Sequence, residues 1–412
     1  MSSLLIQNIH QLAGVRVKSH ILRGEELAEL PCIANAYLII EDDEIAAYGS
    51  MEALGTKTHQ LETVDASGQF ILPAWCDSHT HLVFAGSRET EFVDKLKGLS
   101  YAEINAKGGG ILNSAEKLNE TSEDQLFNQA WKRLEEIARL GTGAVEIKSG
   151  YGLTLEGELK MLRVIKKLKE KSGLGIKSTF LGAHTYPIAY RDNHQGYIDL
   201  LVNKMLPVIA REKLADYIDV FCEKGFFSAE EMRAICQAGS RYGLKPKLHV
   251  NQLNSIGGIE TGIALGAVSL DHLETMNEQE VSMLGKSDAI ATLLPTAAFF
   301  LRMHLQPARE LINAGAAVAL ASDFNPGSSP SGNMNFVVAL SCIQMKMLPE
   351  EAINAATVNG AYAMGLGDKF GSIAVGKKAN LIFTKLIPSL AYLPYSFGTN
   401  LVDKVMIRGK FI

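Results

Sequence analysis

Short alternating runs of apolar residues mark both ends of the chain, while longer, near-continuous apolar runs fill its middle. Near the N-terminus the clearest run is Ala36-Tyr37-Leu38-Ile39-Ile40. The acidic turn Glu41-Asp42-Asp43 follows, and then Glu44-Ile45-Ala46-Ala47-Tyr48-Gly49. Two such runs around a polar turn predict a β-hairpin. Residues 371–376, 379–383 and 402–412 have the same character. Neither end holds enough strands to bury a sheet face by itself. Residues 1–69 and 368–412 are therefore expected to form one small composite β domain of sandwich type.

Between these ends, apolar runs alternate with helical stripes. Leu126, Phe127, Ala130, Trp131, Leu134, Ile137 and Ala138 recur at helical spacing, with Gly141 as a stop. Leu159, Leu162, Ile165 and Leu168 form a second stripe, ended by Ser172-Gly173. Ser228 and Glu231 make a capping box in front of Met232, Ile235 and Cys236. The β-like runs begin with Phe70-Ile71-Leu72-Pro73-Ala74-Trp75-Cys76 and recur at 144–147, 177–181, 217–221, 246–250, 267–270, 289–294 and 317–321. Strands buried on both faces read as continuous apolar runs. About eight β/α units predict a (β/α)₈ barrel of the TIM type over residues 70–367.

Composition narrows the functional classes. The chain has 412 residues, 47% hydrophobic and 21% charged, with a net charge of -5. That balance gives no reason to expect nucleic acid or an anionic membrane as partner, and a small molecule is the expected one. Five dispersed cysteines without a Cys-x-x-Cys pair read as reduced thiols in a cytoplasmic protein. No apolar run approaches membrane-spanning length, and no signal pattern opens the sequence.

Barrels of this kind place their chemistry at the C-terminal ends of the strands. The first run ends in Asp77-Ser78-His79-Thr80-His81, where residues two apart in an extended segment aim both imidazoles at one side. Lys148-Ser149-Gly150-Tyr151 follows the second run, His184 the third, Glu223 the fourth, His249 the fifth, Asp271-His272 the sixth and Asp323 the eighth. A lone histidine such as His194 or His304 is ordinarily structural. Five histidines and an aspartate at one rim favour a metal site. His79, His81, His249 and Asp323 supply three imidazoles and a carboxylate, a set suited to zinc or iron. The fourth run ends Phe221-Cys222-Glu223-Lys224, where the lysine falls beyond the strand end proper and so is not placed to bridge a second ion, and one ion per chain is expected.

The Asp-x-His-x-His strand, the late histidines and Ser322-Asp323 resemble the amidohydrolase superfamily. The stretches DSHTHLVFAGSRETEF, GGGI, SGYGL, FLGAHTYP, GAVSLDHLE, LASDFNPGSSPSGNM and GSIAVGKKANL are similar, within it, to the imidazolonepropionase family. The resemblance implies hydrolysis of 4-imidazolone-5-propanoate to N-formimidoyl-L-glutamate in histidine degradation, with Zn2+ or Fe2+/Fe3+, in the cytoplasm. The superfamily also suggests a homodimer. A propionate tail requires a cation, and Arg88, seven residues past His81, matches a carboxylate with two parallel hydrogen bonds. Tyr151 and His184 stand where they can hydrogen-bond the ring or the carboxylate. The Gly327-Ser328-Ser329 turn offers backbone N–H groups and hydroxyls to an anion, and Asn325, Gly327 and Ser328 are expected to complete the substrate pocket.

One position departs from the superfamily pattern. Related deaminases carry a glutamate three residues after the fifth-strand histidine, and here that residue is Gln252. An amide cannot exchange a proton as a carboxylic acid does, which weakens the alternative of a heterocycle deaminase. Gln252 is expected to orient the ring, and proton transfer to fall to His272 and Asp323. A non-catalytic barrel that has lost its metal is the third reading, and the full ligand set argues against it.

Overall fold

The N-terminal segment supplies five strands, in which apolar residues recur between polar ones. The computed structural model describes residues 3–55, 61–99, 103 and 109–412. Strands β1 (Ser3–Ala13), β2 (Cys32–Glu41), β3 (Glu44–Ser50), β4 (Glu62–Asp65) and β5 (Phe70–Pro73) come first. The predicted hairpin is β2–β3, with Ile40 opposite Ile45 and Glu41 opposite Glu44. Asp42 takes φ +55° in its turn, a left-handed conformation that Asp tolerates better than most residues.

The central segment supplies eight strands. They are β6 (Trp75–Thr80), β7 (Thr142–Lys148), β8 (Gly175–Ala183), β9 (Tyr217–Cys222), β10 (Lys245–Val250), β11 (Ser269–His272), β12 (Ile290–Leu293) and β13 (Ala317–Leu320). All neighbouring pairs are parallel, in the order β6 to β13. The barrel closes through a bridge between Thr80 and Phe324, with His81 N donating to the Phe324 carbonyl at 2.9 Å and Asp323 N to that of His79 at 3.0 Å. Helices Glu123–Arg139, Leu155–Lys171 and Ala229–Ser240 lie at the expected stripes, the first and third opened by capping boxes at Ser122 and Ser228. Among the described residues, no helix is long and apolar enough to cross a membrane.

After the barrel, β14 (Leu381–Thr384), β15 (Val402–Ile407) and β16 (Lys410–Phe411) return to the first strands. Both chain ends thus share one sheet, ordered β16-β15-β14-β5-β1-β2-β3, with β4 on β1. Ile6, Ile9, Leu38, Ile40, Leu381, Phe383 and Met406 form its core. The sheet curls until the β2–β3 turn meets the returning chain: Ile45 N donates to the Lys377 carbonyl at 2.8 Å and Ala379 N to that of Asp43 at 2.9 Å.

The junction between the two units differs from the expected one. The Phe70–Cys76 run divides: Phe70–Pro73 pairs with β14 in the small sheet, and the barrel strand starts only at Trp75. Proline has no N–H to continue a ladder. Ala74 N then donates to Asn380 and Trp75 N to Gly141, so successive amides serve the small sheet's return segment and the barrel.

Candidate metal centre and substrate cavity

Extended geometry at the end of β6 sends His79 and His81 to the same side, where His249 from β10 meets them. All three rings are buried. The Nδ1 of His79 lies 2.7 Å from Asp271 Oδ2, and the Nδ1 of His249 lies 2.7 Å from Asp219 Oδ2. A carboxylate at Nδ1 fixes the tautomer with a bare Nε2, the form that can ligate a metal. His79 Nε2 is buried and has no hydrogen-bond partner among the described residues. His249 Nε2 and His81 Nε2 are 3.3 Å apart, and Asp323 Oδ1 stands 3.5 Å from His79 Nε2 and 3.6 Å from His81 Nε2. A tetrahedral ion with bonds of about 2.0–2.1 Å needs donors roughly 3.3–3.4 Å apart. The three imidazoles form one group of donors close enough to share such an ion, and His79, His272 and Asp323 form a second that meets it at His79.

Electrostatics favour the same use. Burial, then the neighbouring imidazoles and the Lys148 ammonium, hold His79, His81 and His249 well below the usual histidine range. Neutral imidazoles are the ligating form. Burial pushes Asp323 up to about 6, against the pull of His272, Asn325 and Ser328. Asp77, the first residue of the Asp-x-His-x-His stretch, is engaged by Ser322. It accepts hydrogen bonds from Ser322 N (2.9 Å) and Ser322 Oγ (2.5 Å), which fixes the strand end that carries Asp323.

His272 completes this side. Its Nδ1 lies 3.2 Å from Glu274 Oε1, and the ring lines the cavity. Burial opposes its charge, but Glu274, Asp323 and Asp271 outweigh that and the net shift is upward. His272 has φ +86°, Leu273 +67°, Asn251 +56° and Asp323 +51°. Non-glycine residues in this region cost on the order of 1–3 kcal/mol each and persist where surrounding bonds over-determine them. Here Asn251 is tied to the Thr275 carbonyl and to Glu280, both at 2.8 Å.

A cavity of 550 Å³ opens over these groups. Every expected substrate-side residue lines it: Arg88, Tyr151, His184, Gln252, Asn325, Gly327 and Ser328. Arg88 Nε donates to Ser114 Oγ at 2.8 Å, its Nη2 is buried without a partner among the described residues, and the guanidinium lies 5.6 Å from the centre of the Tyr151 ring. His184 stacks on His81 at 5.2 Å and holds the Gly150 carbonyl with Nδ1 at 3.0 Å. Gln252 is half-buried on the loop after β10. Glu223 grips that loop, accepting from Leu253 N at 2.8 Å and Asn254 N at 3.1 Å.

The turn after β13 departs from expectation. The amides of Gly327 and Ser328 are not free for an anion, because both donate to Asn325 Oδ1 at 2.8 Å. The Ser328 hydroxyl faces Asp323 Oδ2 at 3.2 Å. Asparagine side chains close such turns on their own backbone. The turn instead shapes its neighbours: a Cβ on Gly327 would lie 2.3 Å from Arg88 Nη1. Of the GGGI motif, Gly109, Gly110 and Ile111 are placed and Gly108 lies outside the described residues. Gly110 N donates to the buried Glu91, tying this motif to the helix Glu89–Leu96 that follows Arg88.

Sequence reasoning passed over several contributors. Lys95, seven residues past Arg88 on that helix, also lines the cavity, as do Phe221, Phe226, Leu301 and Met303. Asp219 and Glu146 sit inside apolar runs, where an unpaired charge would be prohibitively costly, and that was the available signal. His194 instead stacks on Tyr186 at 3.7 Å and is absent from the cavity lining.

Residues 70–412 match the model of the amidohydrolase family. An imidazolonepropionase of Flavobacterium johnsoniae is 60% identical over 409 residues, covering 99% of each chain. One of Christiangramia forsetii is 54% identical over 100% of both. Among solved structures, a triazine hydrolase variant superposes with a TM-score of 0.75 at 15% identity, covering 100% of this chain and 94% of its own. A zinc-bound adenosine deaminase from Xanthomonas campestris gives 0.72 at 16%, covering 100% and 92%. These distant likenesses show the fold, whereas the close ones place the sequence. The chain belongs to the amidohydrolase family and, within it, to the imidazolonepropionase family.

Proposed function

We propose that the chain hydrolyses the cyclic amide of 4-imidazolone-5-propanoate to N-formimidoyl-L-glutamate, a step of histidine degradation. The observation that carries this reading is the pairing of two features in one cavity. The imidazoles of His79, His81 and His249 converge with the Asp323 carboxylate beside two of them, and the Arg88 guanidinium lines the cavity above.

His79, His81, His249 and Asp323 would hold one zinc or iron ion, since imidazole and carboxylate accept both. When bound, such an ion supplies a Lewis acid and lowers the pKa of water near it. Arg88 binds the propionate tail, assisted by Tyr151 and His184, and so orients the ring. Gln252 hydrogen-bonds a ring nitrogen and cannot act as the base. Asp323 takes a proton from the attacking water as its oxygen bonds to the ring carbonyl carbon. His272, with Nδ1 held by Glu274, carries a hydrogen on both nitrogens when protonated, the form its acidic neighbours favour, and then directs Nε2–H at the developing oxyanion. The proton then passes to the ring nitrogen as the C–N bond breaks, leaving a carboxylate and a formimidoyl amine. All five cysteines are free thiols, which suits the cytoplasm.

The test is the loss of imidazolone absorbance on adding purified, metal-loaded protein, with the product identified as N-formimidoyl-L-glutamate. An unchanged spectrum with a full metal complement would refute the proposal.

A further inference from the structure

Beneath the histidines, the barrel interior holds a charged cluster that the chemistry above does not use. Lys148 on β7 is fully buried, as are Glu146 on the same strand and Lys247 on β10. The Lys148 ammonium lies 2.9 Å from Asp219 Oδ2 and 3.6 Å from Asp271 Oδ2. Those are the same two oxygens that face His249 Nδ1 and His79 Nδ1. One cation thus stands behind two carboxylates, and each carboxylate stands behind one histidine. Glu146 Oε1 fixes the ammonium at 2.7 Å and is itself held by Thr179 Oγ1 at 2.5 Å. On the far side, Lys247 Nζ meets Glu146 Oε2 at 3.0 Å and Ser269 Oγ at 2.7 Å, and Ser269 Oγ donates to Asp271 Oδ1 at 2.5 Å. Asp271 is therefore held by Lys148 and Ser269, and Asp219 by Lys148 and by His249 N, which donates to its Oδ1 at 3.0 Å.

We propose that Lys148 is a positioning residue for the metal centre: by bridging Asp219 and Asp271 it sets the orientation of His249 and His79 together. The inference rests on the reading of His79, His81, His249 and Asp323 as metal ligands. A bare ammonium this near a bound cation repels it, so as a background charge alone Lys148 would weaken binding. As a clamp it strengthens binding, because partners behind metal-ligating histidines ordinarily account for 10–100-fold in affinity. The two roles predict opposite signs.

The experiment measures zinc affinity by competition with a fluorescent chelator on metal-stripped protein reloaded with zinc, with circular dichroism as the check on folding. Parent protein, Lys148→Met, Asp219→Asn and the double variant are compared. Because Lys148→Met leaves three buried carboxylates against one lysine, Lys148→Met/Glu146→Gln restores the charge count and serves where the single variant does not fold. The expected result is about 10–100-fold weaker zinc binding by the folded Lys148 variant. The double variant should lose several-fold less than the product of the two single losses, since one residue acts through the other. Unchanged or tighter zinc binding by a folded Lys148 variant overturns the proposal, as do losses that simply multiply. Failure of the parent to bind zinc or iron would instead overturn the metal reading beneath it.

Discussion

The two walls of the cavity are built in opposite ways. On the side of the candidate metal centre, every proposed ligand comes from a strand or a strand end, and behind each of His79 and His249 stands a carboxylate that is itself anchored. On the substrate side, Arg88, Gln252 and the Asn325–Ser328 turn sit on connecting segments. Gln252 makes no hydrogen bond to another described residue, and Arg88 keeps one nitrogen unpartnered. The difference teaches a division of labour. Chemistry needs donors held within a fraction of an ångström, which strands provide, whereas recognition needs groups whose partners arrive with the ligand.

Substitutions should therefore fall into two classes, and the largest effects test whether the classes are real. His249→Ala removes a ligand, so metal content should drop from one ion per chain toward none. Turnover should fall by about 10³-fold or more, as expected when several kcal/mol of stabilisation is lost. Elemental analysis checks it, and a full metal complement in the variant would break the comparison at its root. His272→Ala should keep the metal and lose about 10²–10⁴-fold in kcat, the range for a missing acid–base or oxyanion group. If the metal leaves instead, His272 belongs among the ligands.

The substrate wall should respond in recognition alone. Arg88→Ala should lower kcat/KM by roughly 30- to several-thousand-fold, corresponding to about 2–5 kcal/mol for an unpaired buried charge. Metal content should not change. An imidazolone without the carboxylate should be a poor substrate for the parent and lose little more in the variant, and equal losses on both substrates would end the clamp idea. The smallest effect is expected from Gly327→Ala, whose Cβ would sit 2.3 Å from Arg88 Nη1. Displacing that guanidinium should raise KM about tenfold, near the worth of one charge-assisted hydrogen bond, with kcat retained. A change in kcat with constant KM would show that this turn serves Asp323 more than Arg88.

Much of this arrangement was legible before any coordinates. Seven of the eight barrel-strand positions followed from apolar runs, and the candidate ligands from what stood at the strand ends, because a strand buried on both faces announces itself in sequence. The division of the Phe70 run was less visible: Pro73 marked it, but its consequence depended on β14, more than 300 residues away. The partners behind the histidines were hidden for the same reason. Tyr217-Ile218-Asp219-Val220-Phe221 shows that a charge is buried, but not that His249 and Lys148 receive it from two other strands. The Asn325 turn failed differently. Its residues were identified, but a side chain that closes on its own backbone looks, in sequence, like one that leaves that backbone open.

That turn also limits how the protein could diverge. Within seven residues, Asp323 to Ser329, lie the carboxylate at the metal ligands, the hydroxyl facing it and the glycine on which the Arg88 guanidinium rests. A lineage evolving toward a ring with a different tail could not remodel this segment for the new tail alone. Each insertion or bulky replacement would shift a reacting group along with a recognising one. New specificities should therefore arise first through the Gln252 loop and the helix after Arg88, where changes leave the Asp323 strand end in place.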